Sequence, residues 1–553
     1  MADITKIALS ESELSDVDQL LVFEYFIRRL VDHRNLAIGY AKHEYRYSNN
    51  SIRTNEFILE ICGWADELLK HAWAACGKHA SKCPPLEAII DASIDHLPRL
   101  PPVAQTSKLL NTIIFLHLTS TKSYSAHTRS FLLRSFGTFD EWAVAETLKH
   151  PDEATKAADG AKERHAQRSK IWRRVGIGAG AVAGGVLIGV TGGLAAPLVG
   201  AGLSSVLGIL GIGGPIGLIA TGLASSGAVC GALFGAYGAK STAEMVARHT
   251  REIRDMEFVP VRPMTNSLAV RICISGWLES PTDIVGPWMV YNSDQDTFAL
   301  QWEVEALQTL STALYDLIRL NAMNYIKWSV LKHTVLSTLM AGLSPLFLLK
   351  IGQIVDNPWS NAKALAVKAG KVLGTLLAER ALGNRPVTLT GYSLGSLVIV
   401  EALKYLAELP PAKTAHIVQD VFLFGTPAPT SQSMWAAMRR VVAGRIVNCY
   451  AESDYVLAIL SRTTDGEWGV AGLQPVDVPG VENVQCLEVQ GHLQWRGRVG
   501  QYLQLCGADG VQPEEVELQL REVAEPFAKE MEKELELMDL ARAEEEVHNE
   551  SKP

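Results

Sequence analysis

Apolar positions along the chain follow three different rhythms, and these divide it before any motif is considered. In residues 1–165 they recur every three or four residues, as in Leu21, Val22, Tyr25, Phe26 and Leu30, and again in Phe57, Ile61, Trp64, Leu68 and Trp73. That spacing lines one face of a helix, so an all-α N-terminal domain is expected, with packing or partner binding as its role. Between Val175 and Ala239 the polar rhythm disappears, and no residue carries a charge. From 265 to 510, strand-like runs alternate with helical stretches. The expected strands are Val270–Ser275, Phe298–Trp302, Val387–Thr390, Val418–Phe424, Ile446–Ala451 and Val484–Val489, with helices such as Leu394–Ala407 and Gln432–Val442 between them. Such alternation implies a mainly parallel sheet covered by helices. The expected fold is therefore α/β, with an α/β-hydrolase-type sheet. Its domains are 1–165 (helical), 166–255 (glycine-rich hairpin with basic flanks), 256–510 (catalytic) and 511–553 (acidic helical tail). The tail's Leu518, Leu520, Val523 and Phe527, then Leu535, Leu537 and Leu540, suit a solvated helix or a short coiled-coil contact.

The uncharged block is long enough for two or three membrane helices of about 20 residues each. Its glycines recur at every fourth position, as in Gly176, Gly180 and Gly184, or Gly227, Gly231 and Gly235. That is a glycine-zipper spacing, which lets membrane helices approach closely. Arg164, Arg168, Lys170, Arg173 and Arg174 precede the block, and Lys240, Arg248, Arg251 and Arg254 follow it. Basic flanks favour the cytoplasmic side. Two basic flanks on one side require an even number of crossings, so a two-helix hairpin is expected, with the catalytic domain facing the cytosol. The alternative is a glycine-packed helical pair that does not cross a bilayer. A second apolar stretch, Leu339–Ile354, contains Lys350 and is interrupted. It reads as a lid or membrane-resting helix, or else as a core helix.

Composition narrows the functional classes. With 48% hydrophobic and 20% charged residues, the chain is not disordered. A net charge of −9 argues against nucleic acid as the main partner. The eight cysteines include no CxxC pair and no zinc-like cluster with histidine, so reduced thiols and no metal or cofactor are expected. The first residues, MADITKIALSESELSD, lack the basic-then-apolar pattern of a secretory signal.

The chemistry is concentrated in PVTLTGYSLGSLVIVEAL, residues 386–403. Here Gly391-Tyr392-Ser393-Leu394-Gly395 forms a G-x-S-x-G string between an apolar strand and an amphipathic helix. A nucleophile elbow needs that context, with Gly391 and Gly395 giving room for the tight turn. Ser393 is the expected nucleophile, and the amide of Leu394 faces the space above it at the positive helix start. On this fold an acid and then a histidine should follow. GRIVNCYAESDYVL offers Asp454 after a strand, with Glu452 as local rival and Asp477 as distant one. VENVQCLEVQGHLQWRGRV offers His492; His416 precedes the acid, and His548 lies in the tail. His492 would act as general base, with Asp454 fixing its tautomer. A second oxyanion donor is expected after the strand Ile272–Ser275, at the amide of Trp277 or its neighbour Gly276.

With these residues in place, the chain resembles the transmembrane and coiled-coil domain-containing family of α/β-hydrolase-like proteins, formerly catalogued as a domain of unknown function. The resemblance runs through LLKIGQIVDNPWSNAKALAVKAGKVL, RPVTLTGYSLGSLVI, VFLFGTPAP, VVAGRIVNCYAESDYVLAIL, VAGLQPV and GHLQWR. It covers about residues 165–500. It implies a membrane-associated, lipase-like protein of the Golgi or endosomal system, with the family's serine, acid and histidine at Ser393, Asp454 and His492. The expected function is a serine ester hydrolase acting on a lipid or other apolar ester at a membrane, with a protein partner for the N-terminal helices or the acidic tail. The competing expectation is a trafficking adaptor or scaffold that keeps the fold without turnover.

Overall fold

A computed structural model of the chain describes residues 14–76, 82–137, 139–151, 222–223, 225–234, 253–321, 355–465, 469–489 and 491–522. Most of the uncharged block, the Leu339–Ile354 stretch and the tail beyond residue 522 lie outside the described residues. The chain forms two compact units. One comprises Met1–Arg34, Cys62–Ser123 and Phe131–Leu233; the other comprises Asn35–Ile61, Tyr124–Ser130 and Phe234–Pro553.

The first unit is helical. It holds the start of α1 (Asp16–Ser48), most of α2 (Ser51–Ala75), α3 (Val103–Thr121), most of α4 (Ala126–Phe136), α5 (Glu141–Lys149) and most of α6 (Ser226–Phe234). The apolar rhythm accounts for its core: Val22, Phe26, Leu30, Trp64 and Leu68 are buried. The Phe26 ring meets Phe131 edge-on at 5.0 Å between centroids. Asp140 caps α5, its carboxylate accepting the Ala143 amide at 2.9 Å, as an N-cap aspartate should. In the described part of the glycine-rich block, a side chain at Gly222 would strike Phe115 at 2.7 Å. At Gly227 and Gly231 no described atom lies within 4 Å of such a side chain. Among the described residues, no helix is long and apolar enough to cross a membrane.

The second unit is mixed α/β around a seven-stranded sheet in the order β1-β3-β2-β4-β5-β6-β7. The strands are β1 (Glu257–Pro260), β2 (Val270–Ile274), β3 (Asp296–Gln301), β4 (Val387–Tyr392), β5 (Val418–Phe424), β6 (Ile446–Tyr450) and β7 (Val481–Gln485). All neighbours pair in parallel except β1 with β3. The central strands β2 and β4 are buried throughout, which explains why apolar residues dominate them, with Arg271 in β2 and Thr388 and Thr390 in β4 as buried polar exceptions.

One strand expectation needs correction, and one strand was not expected. The last strand is Val481–Gln485, not Val484–Val489. It is an edge strand with mostly exposed residues, so its ENVQ composition hides it. Buried Cys486 and Val489 belong instead to the turn that follows, where the Val489 amide donates to the Cys486 carbonyl at 3.3 Å. The short edge strand β1, which ends in a proline, carries too little pattern to be seen in the sequence.

The remaining helices of this unit are α7 (Val304–Asn321), α8 (Ser360–Ala378), α9 (Leu394–Glu408), α10 (Pro411–Thr414), α11 (Gln432–Val441), α12 (Tyr455–Asp465) and α13 (Trp495–Leu505). Helices α8 and α9 touch closely: a side chain at Gly374 would meet Tyr405 at 2.8 Å. Two buried arginines are paired with acids. Arg385 donates to Asp296 at 2.7 Å and to the Ser267 carbonyl at 2.7 Å, and both side chains are fully buried. Arg440 donates to Glu44 and, at 2.8 Å, to the Ala407 carbonyl. Removing one member of such a pair strands a charge in a dry interior.

In the helical unit, burial holds His71 down to about 4 from an ordinary histidine value of 6.5, so it is neutral when folded. The unfolded chain takes up a proton on His71 below about pH 6.5, while the folded chain does so only near 4. Stability from this group is therefore complete at neutral pH and falls as the pH drops through that window. Acidification from about pH 7.5 to about pH 5 should cost roughly 2 kcal/mol through His71. His71→Leu should remove that part of the pH dependence of thermal unfolding; an unchanged slope would contradict it.

Candidate active site

The sheet has one point where its order reverses. The chain steps from β2 outward to β3, then returns to the other side of β2 for β4 and continues outward to β7. In open parallel sheets, the crevice beyond the carboxyl ends at such a switch is where ligands bind. Ser393 follows β4, and Gly276 follows β2, so both stand at this crevice. A polar cleft lined by Arg129, Arg271, Asp420 and Asp509 lies at the other end of these strands. It is closed by internal bonds such as Arg129 to Asp509 at 3.1 Å.

Ser393 sits between the end of β4 and the start of α9 with φ 54° and ψ −126°. A non-glycine residue there is strained, at a cost of order 1–3 kcal/mol. Packing enforces the conformation. A side chain at Gly391 would meet the Gly395 backbone at 2.9 Å. One at Gly395 would run into the Ile274 carbonyl, and one at Gly276 would run into the Tyr392 carbonyl and reach within 2.7 Å of the Ser393 Cβ. The Ser393 amide donates to the Phe424 carbonyl at 2.8 Å. Ser396 fastens the turn, donating to the Gly391 carbonyl at 2.5 Å and accepting the Phe424 amide at 3.1 Å.

Three side chains from three segments meet at this turn. The Ser393 hydroxyl lies 2.5 Å from His492 Nε2, and His492 Nδ1 lies 2.7 Å from Asp454 Oδ2. All three are fully buried. Asp454 follows β6 and opens α12, so its Oδ1 accepts the Leu457 amide at 3.0 Å. His492 begins a short 3-10 turn, His492–Gln494, after extended Gly491. The other expected candidates lie elsewhere. Glu452 is exposed and accepts from Gln485 at 3.1 Å. Asp477 is exposed, and His416 bonds to Ser125 at 2.8 Å and Glu60 at 3.2 Å.

The segment after β2 is held by a separate network. Ser275 donates to the Asp283 carbonyl at 2.8 Å and accepts the Trp288 indole at 3.1 Å, and its own carbonyl accepts the Trp302 indole at 3.1 Å. The Tyr392 hydroxyl donates to the Trp277 carbonyl at 3.1 Å. Burial pushes that hydroxyl well above its usual range, so it stays a neutral donor. The backbone at Gly276 thus passes beside the first amide of α9, at Leu394: a Gly276 side chain would come within 2.5 Å of that nitrogen. Trp277 is buried next to it.

Sequence reasoning missed one contact at the acid. The Trp495 indole donates to Asp454 Oδ2 at 3.0 Å, the same oxygen that faces His492. Its signal was present in GHLQWR, three residues past His492, but an aromatic residue there reads as core. Cys273 is fully buried on β2, and burial pushes its thiol up, so it stays protonated.

These features define a mixed α/β protein built on a mainly parallel sheet, with a serine, a histidine and an aspartate joined at its switch point. Residues 169–509 match the family described as "Protein of unknown function (DUF726)", and the chain belongs to that family. It is 38% identical to "Uncharacterized membrane protein C6F6.13c" of Schizosaccharomyces pombe over 63% of this chain and 61% of that protein. It is 37% identical to "Transmembrane and coiled-coil domain-containing protein STS1" of Oryza sativa subsp. japonica over 64% of this chain and 55% of that protein. These relatives bear out the family resemblance read from the sequence. The chain is also 34% identical to "Probable lipase MIL1" of Saccharomyces cerevisiae, over 51% of this chain and 27% of that protein. The matched region thus spans less than two thirds of each of these curated relatives. No solved structure matches the chain.

The packing around the turn makes a direct claim. Gly395→Ala places a methyl group into the β2 backbone, so it should lower stability by about 1–3 kcal/mol or more. Among the described residues, Gly491→Ala meets nothing closer than Tyr455 at 3.8 Å, and it should leave stability nearly unchanged. Thermal unfolding of the two variants checks this; equal melting temperatures would contradict it.

Proposed function

We propose that this protein is a membrane-associated serine ester hydrolase of α/β-hydrolase type, acting on a lipid or other apolar ester. The carrying observation is the hydrogen-bonded chain Ser393–His492–Asp454 at a strained strand-to-helix turn. A serine hydroxyl is a poor nucleophile until a neighbouring base takes its proton. His492 Nε2 is placed to do so. Asp454 holds Nδ1 protonated and stabilises the imidazolium that forms.

In this reading, Ser393 Oγ attacks the ester carbonyl as its proton passes to His492. The tetrahedral oxyanion is met by the Leu394 amide at the start of α9, where the first amides have no intrahelical partner, and by the Trp277 or Gly276 amide. His492 then returns the proton to the departing alkoxide, leaving an acyl-serine and an alcohol. Water, deprotonated by His492, releases the carboxylic acid and restores Ser393. The strand order, with one antiparallel edge and the serine after the strand beside the switch point, supports the hydrolase assignment, as does the name of the yeast relative. Membrane association draws support from the names of the fission yeast and rice relatives and from the uncharged block with its basic flanks. The same flanks support a catalytic unit facing the cytosol.

A second reading has its own observation. Ser393 and His492 have no exposed surface, which suits a silent hydrolase fold acting as an adaptor. A fluorophosphonate probe separates the two. Wild-type protein should label, and Ser393→Ala should not, with ester hydrolysis falling by several orders of magnitude. Asp454→Asn should be severely impaired and Glu452→Gln only mildly. No labelling of the wild type would favour the adaptor.

For the membrane, the full chain should remain with membranes through alkaline carbonate washing, and a version lacking residues 175–239 should be released. Release of the full chain by carbonate would contradict insertion.

A further inference from the structure

Resting on the hydrolase reading, we infer that Trp495 is a positioning residue for the acid, so that four residues rather than three set the geometry of the reaction. Asp454 has no exposed surface, and its carboxylate is held by three donors. Leu457 N–H fixes Oδ1 at 3.0 Å. Oδ2 faces His492 Nδ1 at 2.7 Å and the Trp495 indole at 3.0 Å. A carboxylate pinned by the Leu457 amide alone retains a rotation about its Cα–Cβ and Cβ–Cγ bonds. The indole removes that freedom by holding the oxygen that must meet His492.

The indole is itself located by its surroundings. The backbone of Gly425, at φ +55°, lies against the Trp495 ring, so that a Gly425 side chain would run into the indole nitrogen and reach within 2.8 Å of two ring carbons. Phe424 and Tyr502 flank the ring, each at 6.1 Å between centroids. Gly425 follows β5, and its amide donates to the Cys449 carbonyl of β6 at 3.0 Å. The glycine is therefore required twice: for its left-handed backbone and for the close approach of the ring. A tryptophan used only as filler would not need its N–H aimed at a buried carboxylate. Phenylalanine keeps most of the ring and removes the donor, so the substitution isolates this role.

The test is a double-mutant cycle on the full chain, using a soluble activated ester for kcat and KM and the fluorophosphonate probe for the rate of serine modification. Trp495→Phe should lower kcat and the labelling rate together, by roughly tenfold to a hundredfold, the rate equivalent of one charge-assisted hydrogen bond. KM should hold, because the indole lies behind the acid and not against substrate. In an Asp454→Asn background, Trp495→Phe should have almost no further effect on kcat, because residues acting as one unit are not additive.

Gly425→Ala gives a second route. It leaves the tryptophan in place but displaces the indole, so it should show the same fall in kcat and the same loss of effect beside Asp454→Asn. This arm carries the test if Trp495→Phe does not fold. Unchanged kcat in a folded variant, or a full independent effect in the Asp454→Asn background, would overturn the inference while leaving the hydrolase reading intact. A folded wild type that neither labels nor turns over would overturn that reading, and this inference with it.

Discussion

The backbone of Ser393, held at φ 54°, is the constraint on which the rest of the site depends. An L-residue adopts that conformation only if its surroundings leave no alternative. Here the surroundings are backbone: β2 and the residue after it press on the turn so closely that Gly276 and Gly395 have no room for a side chain. The order β3-β2-β4-β5 makes this possible, because it sets the end of β2 directly beside the end of β4. The geometry of the turn is thus obtained from topology plus three glycines, and the strain is offset by the packing of a buried sheet. The same contact brings the first amide of α9 and the residues after β2 to one spot, which is why the proposed oxyanion donors come from these two places.

The other half of the site is assembled from weaker local signals. Asp454 and His492 come from separate loops, beyond β6 and β7, and neither loop is regular. Side-chain bonds position them instead: Leu457 and Trp495 on Asp454, and Ser453 to the Val489 carbonyl at 2.6 Å. The Leu457 amide and the Trp495 indole are neutral donors, so they fix the aspartate without adding charge beside it. Arg496, on α13 beside Trp495, is paired with Glu279 and Asp283 at 2.8 and 3.0 Å.

Much of this was legible in the sequence, and the failures have physical causes. Central strands were readable because burial on both faces makes them predominantly apolar, as in Val418–Phe424, where only Gln419 and Asp420 interrupt the run and whose limits were read correctly. The serine turn was readable because its steric needs are local: glycine, serine and glycine at fixed spacing. Edge strands were not, because β1 and β7 are half-exposed and carry charged or amide residues that resemble loop. The 257–260 strand offered only EFVP, and the 481–485 strand was displaced by the buried Cys486 and Val489 beyond it. The meeting of Asp454 with His492 was inferred from chain order, whereas the Trp495 bond depends on the direction of one N–H, which no sequence rhythm encodes. Likewise, the every-fourth-residue glycines around Gly227 and Gly231 announce a close approach, yet no described atom fills the space there.

The central claim is that Ser393 forms a covalent acyl intermediate. The most direct measurement is peptide mass spectrometry of full-length protein mixed with an excess of an activated short-chain ester and quenched in acid within the first turnovers. The peptide spanning Gly391–Gly395 should carry the acyl mass on Ser393, and the adduct should disappear as the ester is consumed. An unmodified Ser393 during active hydrolysis, or an acyl group found on another residue instead, would contradict the account.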